Sequence, residues 1–205
     1  MDMLEGVGRR SGTDKLFDLG QHTLNGYERN GLFRNNGDGT FTDVGWVQGA
    51  DREEDGRGVA IFDFDRDGRL DIVLRNYGQP AVLLRNTGAR RNFISFELVG
   101  TRSNRDAVGA RIRVHAQDTW QTRIVTAGSG YLSGSSLRQH FGLGDADTVD
   151  EVEITWPSGS RSQLSSLSAN QFYRIVEDAA RGSNKRADGV LATSNPAGGD
   201  RRKVQ

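Results

Sequence analysis

Val59-Ala60-Ile61-Phe62-Asp63-Phe64-Asp65-Arg66-Asp67-Gly68-Arg69-Leu70-Asp71-Ile72-Val73-Leu74 is the stretch on which the fold reading turns. Its middle places aspartates at loop positions 1, 3, 5 and 9 and glycine at position 6. Alternate side chains of such a turn carry oxygens inward, and glycine permits the sharp bend. The backbone carbonyl of position 7, Arg69, adds one more oxygen. Hard oxygen ligands in this number suit Ca²⁺ better than Mg²⁺, which keeps fewer protein ligands. Without a cation, four aspartates this close would repel one another. The candidate metal ligands are therefore Asp63, Asp65, Asp67, Arg69 through its carbonyl, and Asp71, and the expected cofactor is Ca²⁺. The helix–loop–helix form of this pattern carries a bidentate glutamate at position 12, where this chain has Leu74. Residues 59–62 and 70–74 are short apolar runs that read as strands. The loop is thus read as strand–loop–strand, and the fold class as all-β.

Outward from the loop, the same reading continues. Upstream, Leu32-Phe33-Arg34 runs into Asn35-Asn36-Gly37-Asp38-Gly39-Thr40-Phe41, and Asn-Gly and Asp-Gly supply the positive φ angles of a two-residue hairpin turn. Asp51-Arg52-Glu53-Glu54-Asp55-Gly56 echoes the aspartate loop but has Val59 at position 9, so it reads as an acidic turn entering a strand. Asp55 or Glu54 could also donate to the main site. Residues 81–85 form a further strand candidate, as do 93–99, 110–115, 120–126, 151–156 and 171–176. In residues 110–115, Ile112 and Val114 oppose Arg111, Arg113 and His115; in residues 151–156, Val152, Ile154 and Trp156 oppose Glu151, Glu153 and Thr155. That period of two suits antiparallel sheets with one wet face. No amphipathic helix longer than two turns is legible. A motif beginning at Asn25 returns 51 positions later at Asn76, Leu32-Phe33-Arg34-Asn35-Asn36-Gly37 being echoed by Leu83-Leu84-Arg85-Asn86-Thr87-Gly88. A period near 50 is that of propeller blades, yet two copies are too few to close a propeller.

Composition bounds the function. The 205 residues include 27 glycines and three prolines, with no Gly-x-y period, which excludes collagen and favours many tight turns. No cysteine is present, so disulfides, zinc–thiolate sites and thiol nucleophiles are excluded. Lys+Arg and Asp+Glu both number 27, and a zero net charge argues against nucleic acid as partner. Apolar runs fall far short of the roughly 20 residues of a membrane helix, so no membrane insertion is expected. The first residues lack the apolar segment of a signal peptide.

The strings also carry a resemblance. Asn30-Gly31-Leu32-Phe33-Arg34-Asn35-Asn36-Gly37-Asp38-Gly39-Thr40-Phe41-Thr42-Asp43-Val44, followed by residues 63–71, resembles the FG-GAP/VCBS-type repeat of integrin-like propeller blades. Downstream, Gly100-Thr101-Arg102-Ser103-Asn104-Arg105-Asp106-Ala107-Val108-Gly109-Ala110, Gly128-Ser129-Gly130-Tyr131-Leu132-Ser133, His140-Phe141-Gly142-Leu143-Gly144, Val152-Glu153-Ile154-Thr155-Trp156-Pro157-Ser158-Gly159 and Ala169-Asn170-Gln171-Phe172-Tyr173 resemble the ASPIC/UnbV domain of the cartilage acidic protein group. The resemblance covers residues 26–178. It implies partial propeller blades or a small sheet beside a β-sandwich-like domain. It also implies calcium binding, adhesion-like interaction with a protein or carbohydrate ligand at a cell surface or matrix, and an extracellular location. The expected organisation is an N-terminal extension at 1–25, the repeat region at 26–92, the ASPIC/UnbV-like domain at 93–178 and a disordered polar, basic tail at 179–205.

Catalysis has no sequence signature here. No nucleophile elbow, phosphate loop or zinc-protease pattern occurs. His115 reads as solvated on its strand's polar face, and His140 as packed and hydrogen-bonded. Trp46, Trp120 and Trp156 read as core or rim packing, and Arg102, Arg105, Arg111 and Arg113 as surface charge. The functional expectation is a noncatalytic calcium-binding interaction module. The alternative is a metal-dependent enzyme or accessory protein of a biosynthetic pathway, with His22 or His140 as metal ligand.

Overall fold

The computed structural model describes residues 28–178 and the backbone of 190–193. The expected extension at 1–25, with His22, lies outside the described residues. Compactness gathers the described residues into two groups, 28–57 with 75–81 and 58–74 with 82–178.

The fold is all-β. Among the described residues the helix is a single four-residue turn, α1 (Gly45–Gln48), and no helix is long and apolar enough to cross a membrane. In the first group, β1 (Phe33–Asn35) pairs with β2 (Phe41–Asp43) as an antiparallel hairpin. The register matches Asn35 to Phe41, so the connection has five residues and not the expected two. Gly37 and Gly39 take φ of 85° and 88°, and the Asn36 amide donates to the Thr40 carbonyl at 3.0 Å. Both glycines serve the turn as expected, with the extra residues closed by Asn and Asp side chains that accept from the loop amides. Trp46 is 81% exposed, which corrects its reading as a packing residue: a four-residue helix has no second turn to bury the ring.

Next come β3 (Gly56–Phe62), β4 (Asp71–Asn76) and β5 (Val82–Leu84), three strands of one open sheet in that order. Among the described residues the outer edge of β3 has no strand partner. Instead the Val59 amide donates to Ser133 Oγ at 3.0 Å and the Ile61 amide to Ser135 Oγ at 3.2 Å.

The remaining strands build a sandwich. These are β6 (Asn92–Val99), β7 (Arg111–Ala116), β8 (Thr119–Ile124), β9 (Gln139–Gly144), β10 (Thr148–Thr155), β11 (Arg161–Ser168), β12 (Gln171–Val176) and β13 (Val190–Thr193). One sheet has the order β11-β10-β7-β8 and the other β13-β12-β6-β9. Their inner faces share one buried cluster, with Ile112, Val114, Val152 and Ile154 from the first and Ile94, Phe96, Phe141, Tyr173 and Ile175 from the second. The alternation read from the sequence is this division between core and solvent. Trp156 is 2% exposed, and its indole Nε1 donates to Ser162 Oγ at 2.9 Å. β12 runs parallel to β6, a departure from the expected antiparallel pairing, and the intervening chain crosses through the other sheet to make it possible. Within the stretch expected to be a tail, the backbone of β13 pairs antiparallel with β12; the other residues of 179–205 lie outside the described residues.

The second sheet's outer face positions the site. Residues directly opposite in a ladder share a face. Phe172 and His140 both stand opposite Ser95, and Arg174 stands opposite Glu97. Phe93 lies on the same face, two residues from Ser95, and stacks on His140 with ring centres 5.2 Å apart. The aspartate loop rests against this face at Gly68. A Cβ on Gly68 would stand 2.3 Å from Phe93 Cε1, and its φ of 90° is itself in the left-handed region. Only glycine meets both conditions.

Candidate metal centre

The aspartate loop joins β3 to β4, as its apolar flanks predict. Asp63 follows the last residue of β3, and its carboxylate turns back over the loop. It accepts from the Asp67 amide at 3.0 Å and the Gly68 amide at 2.9 Å. Asp71 opens β4 and is 2% exposed. It accepts from the Phe64 amide at 2.9 Å and the Asn86 amide at 2.8 Å, which ties the loop to the strand after it and to the chain beyond β5. Each carboxylate oxygen retains a lone pair after one such bond.

Carboxylate oxygens of Asp63, Asp65 and Asp71 lie within 4.8 Å of one another. Asp65 Oδ2 meets the Arg85 guanidinium at 2.5 Å, while Asp65 Oδ1 is buried with no hydrogen-bond partner. Burial pushes the Asp63 carboxyl above its ordinary pKa. The Asp67 and Asp65 charges add to this, and the two loop amides only partly offset it. Converging oxygens, one of them orphaned, beside a carboxyl that resists ionisation form a set that fits a hard dication.

Asp67 is placed differently from its neighbours. Arg69 answers it twice, through its amide to Oδ1 at 3.0 Å and through Nε to Oδ2 at 3.0 Å. Burial pushes Asp67 up, but the Arg69 hydrogen bonds outweigh it and hold the carboxyl below its usual value. The same guanidinium donates to the Gly88 carbonyl at 2.7 Å. Of the five residues named from the sequence, three converge as side chains. Arg69 offers only its carbonyl, since its side chain is a cation engaged elsewhere. The Arg69 guanidinium and Arg85 are the part of the site that sequence reasoning missed. An Asp and an Arg two positions apart were legible as a pair, but Arg85 is brought near only by the β4–β5 hairpin.

The upstream acidic echo has a different chemistry. Arg29 bonds Asp51 at 2.8 Å and Glu53 at 2.5 Å, Arg52 pairs with Glu54, and Arg57 bonds Asp55 at 2.9 Å. Each acid is paired with an arginine, Arg29 serving two of them, and none of the four acids joins a metal-sized group among the described residues. His115 sits beside Trp120, ring centres 4.9 Å apart, with Nδ1 3.4 Å from Asp150. His140 is packed as expected, but its Nδ1 has no hydrogen-bond partner.

Residues 23–74 match the family described as FG-GAP-like repeat, a span that contains the whole loop, and residues 100–182 match the family described as ASPIC and UnbV. The chain carries an FG-GAP-like repeat followed by an ASPIC/UnbV domain. The matched spans accord with the sandwich described above and with the β3–loop–β4 unit before it. The chain is also similar to "Cartilage acidic protein 1" of Mus musculus, 34% identical over 149 residues, covering 70% of this chain and 23% of that protein. The Homo sapiens protein of the same name is 34% identical over 131 residues, covering 62% of this chain and 20% of its own length. That of Xenopus tropicalis is 36% identical over 114 residues, covering 52% and 17%. The chain thus spans between 17% and 23% of the length of these relatives.

Proposed function

We propose that this chain is a noncatalytic calcium-binding β module that mediates interaction with a protein or carbohydrate ligand outside the cell, at a cell surface or matrix. The observation that carries the calcium reading is the convergence of Asp63, Asp65 and Asp71 within 4.8 Å, with Asp65 Oδ1 buried and unpartnered. Asp67 and the Arg69 carbonyl complete the proposed ligand set. The position of the loop inside the FG-GAP-like match supports the same reading. The similarity to cartilage acidic proteins supports the location and the interaction role. Extracellular modules bind calcium with Kd of about 10⁻⁴–10⁻³ M, a range that millimolar calcium fills. The bound ion would clamp the end of β3 to the start of β4 without chemistry at the ion.

Thermal unfolding of the purified chain in calcium and in EDTA tests this. A ligand bound only by the folded state adds about 2.7 kcal/mol at 100 times its Kd. Calcium should raise the melting temperature by several degrees, and Asp65→Ala should remove the difference. A metal-free chain that melts identically with and without added calcium overturns the reading.

A further inference from the structure

Between the aspartate loop and the outer face of the ASPIC/UnbV sheet lies a cleft of about 540 Å³. Small-molecule sites occupy about 300–1,000 Å³. Its apolar lining includes Phe62, Leu70 and Phe172, with Phe64, 59% exposed, at the loop side.

Most polar side chains of the lining are donors. Arg66, on the loop, forms no ion pair or hydrogen bond among the described residues, although seven other arginines of the loop and the sandwich do. Ser135 Oγ accepts from the Ile61 amide at 3.2 Å and Ser136 Oγ from the Arg138 amide at 3.2 Å, which leaves both hydroxyl protons to donate. His140 Nδ1 is buried without a partner, an arrangement that costs stability until something bonds it. Burial pushes this imidazole down to about 4, so near neutrality it is uncharged and carries one N–H. The one carboxylate of the lining, Asp63, already takes two loop amides on its oxygens. Arg138 is committed to Glu97 at 3.1 Å and lies over the Phe172 ring.

A lining in which donors predominate and the one carboxylate is already engaged calls for a ligand that brings acceptors. An uncommitted guanidinium calls for negative charge, and the phenylalanines call for a flat apolar body. The volume exceeds that of a bare ion. We propose that this cleft binds a small organic acid, with its oxyanion at Arg66 and the Ser135 hydroxyl and its apolar body on Phe62 and Phe172. The proposal goes beyond the calcium module and does not require an ion in the loop.

Amide NMR spectra of the full chain, titrated with phenylacetate, indole-3-acetate and phenyl phosphate, test it. Phenylacetamide serves as the uncharged match of phenylacetate. Expected are saturable shifts at Ile61, Ser135 and His140 with at least one acid, and about tenfold weaker binding of the amide. Arg66→Gln should weaken the acid about tenfold while leaving the melting temperature unchanged, since Arg66 is exposed and unpaired. Absence of saturable shifts with all three acids overturns the proposal. So does equal binding of phenylacetamide, or unchanged affinity in Arg66→Gln.

Discussion

Glu177 Oε2 accepts a hydrogen bond from the Ser103 amide across 2.7 Å, joining the end of β12 to the loop that follows β6. The same carboxylate takes the Thr101 amide at 3.0 Å, the Arg102 amide at 2.9 Å and the hydroxyls of Ser103 at 3.0 Å, Ser160 at 2.9 Å and Ser158. Glu177 is 2% exposed. Burial pushes its carboxyl up, but the donors outweigh burial and bring it from 4.5 down to about 2. A carboxyl lowered by folding adds stability that is full above 4.5 and is lost as pH falls toward about 2. At pH 7 the shift corresponds to about 3 kcal/mol. Glu177→Gln turns an NH₂ group toward these donors and should lose about that much, lowering the melting temperature by about 6–12 °C. Urea unfolding at a series of pH values checks this. The variant should lack the wild-type decline between 4.5 and 2, and a parallel decline in both proteins would refute the assignment.

Gly68→Ala should destabilise the chain by about 3 kcal/mol, combining backbone strain at φ 90° with overpacking against Phe93. Shortening the ring side chain relieves only the second effect. A double-mutant cycle with Phe93→Leu, read by denaturant unfolding, should therefore show favourable coupling of about 1 kcal/mol. Purely additive losses would mean that the loop does not press on this face.

Arg69 and Asp63 separate ion binding from ion pairing. Arg69→Met keeps the carbonyl at position 7 but removes the guanidinium from Asp67 and from the Gly88 carbonyl. Calorimetric titration should find its calcium affinity undiminished and its stability reduced by about 1 kcal/mol. Asp63→Asn should weaken calcium by about tenfold or more, since it removes a charged ligand. The reverse order of effects would place the ion elsewhere.

Trp156 and Trp46 predict opposite outcomes from the same substitution. Trp156→Ala should cost about 3–5 kcal/mol, because the ring is 2% exposed. Trp46→Ala should stay within about 0.5 kcal/mol in this chain, because that ring is 81% exposed. Chemical unfolding followed by circular dichroism reads both without relying on the indoles.

Strands with branched residues at alternate positions were legible, because the pattern Ile112, Val114 or Val152, Ile154 reports directly which face is dry. β9 was harder, since Gly142 and Gly144 carry no side chain to mark a face and only pairing with β6 makes the segment a strand. β11 was hidden by its serines. Its inward Ser162 is tolerated because the Trp156 indole bonds it, a partner six residues away. In the site, spacing located Asp63, Asp65 and Asp71, since a turn fixes where nearby side chains point. The Glu177 donors had no comparable signature, because backbone amides carry no residue identity. The cleft lining at Phe172, Ser135 and Arg66 comes from three distant segments, and no local pattern could have joined them.

The serine hydroxyls that bond the Val59 and Ile61 amides have a consequence for behaviour at high concentration. An open strand edge offers its amides as a template for a strand from another molecule, which is how sheets grow into aggregates. At β3 those two donors are already taken by Ser133 and Ser135. An incoming strand would first have to strip them away and would gain little in exchange. The edge is thereby guarded from fibril-like growth by side chains alone, without proline or a covering helix.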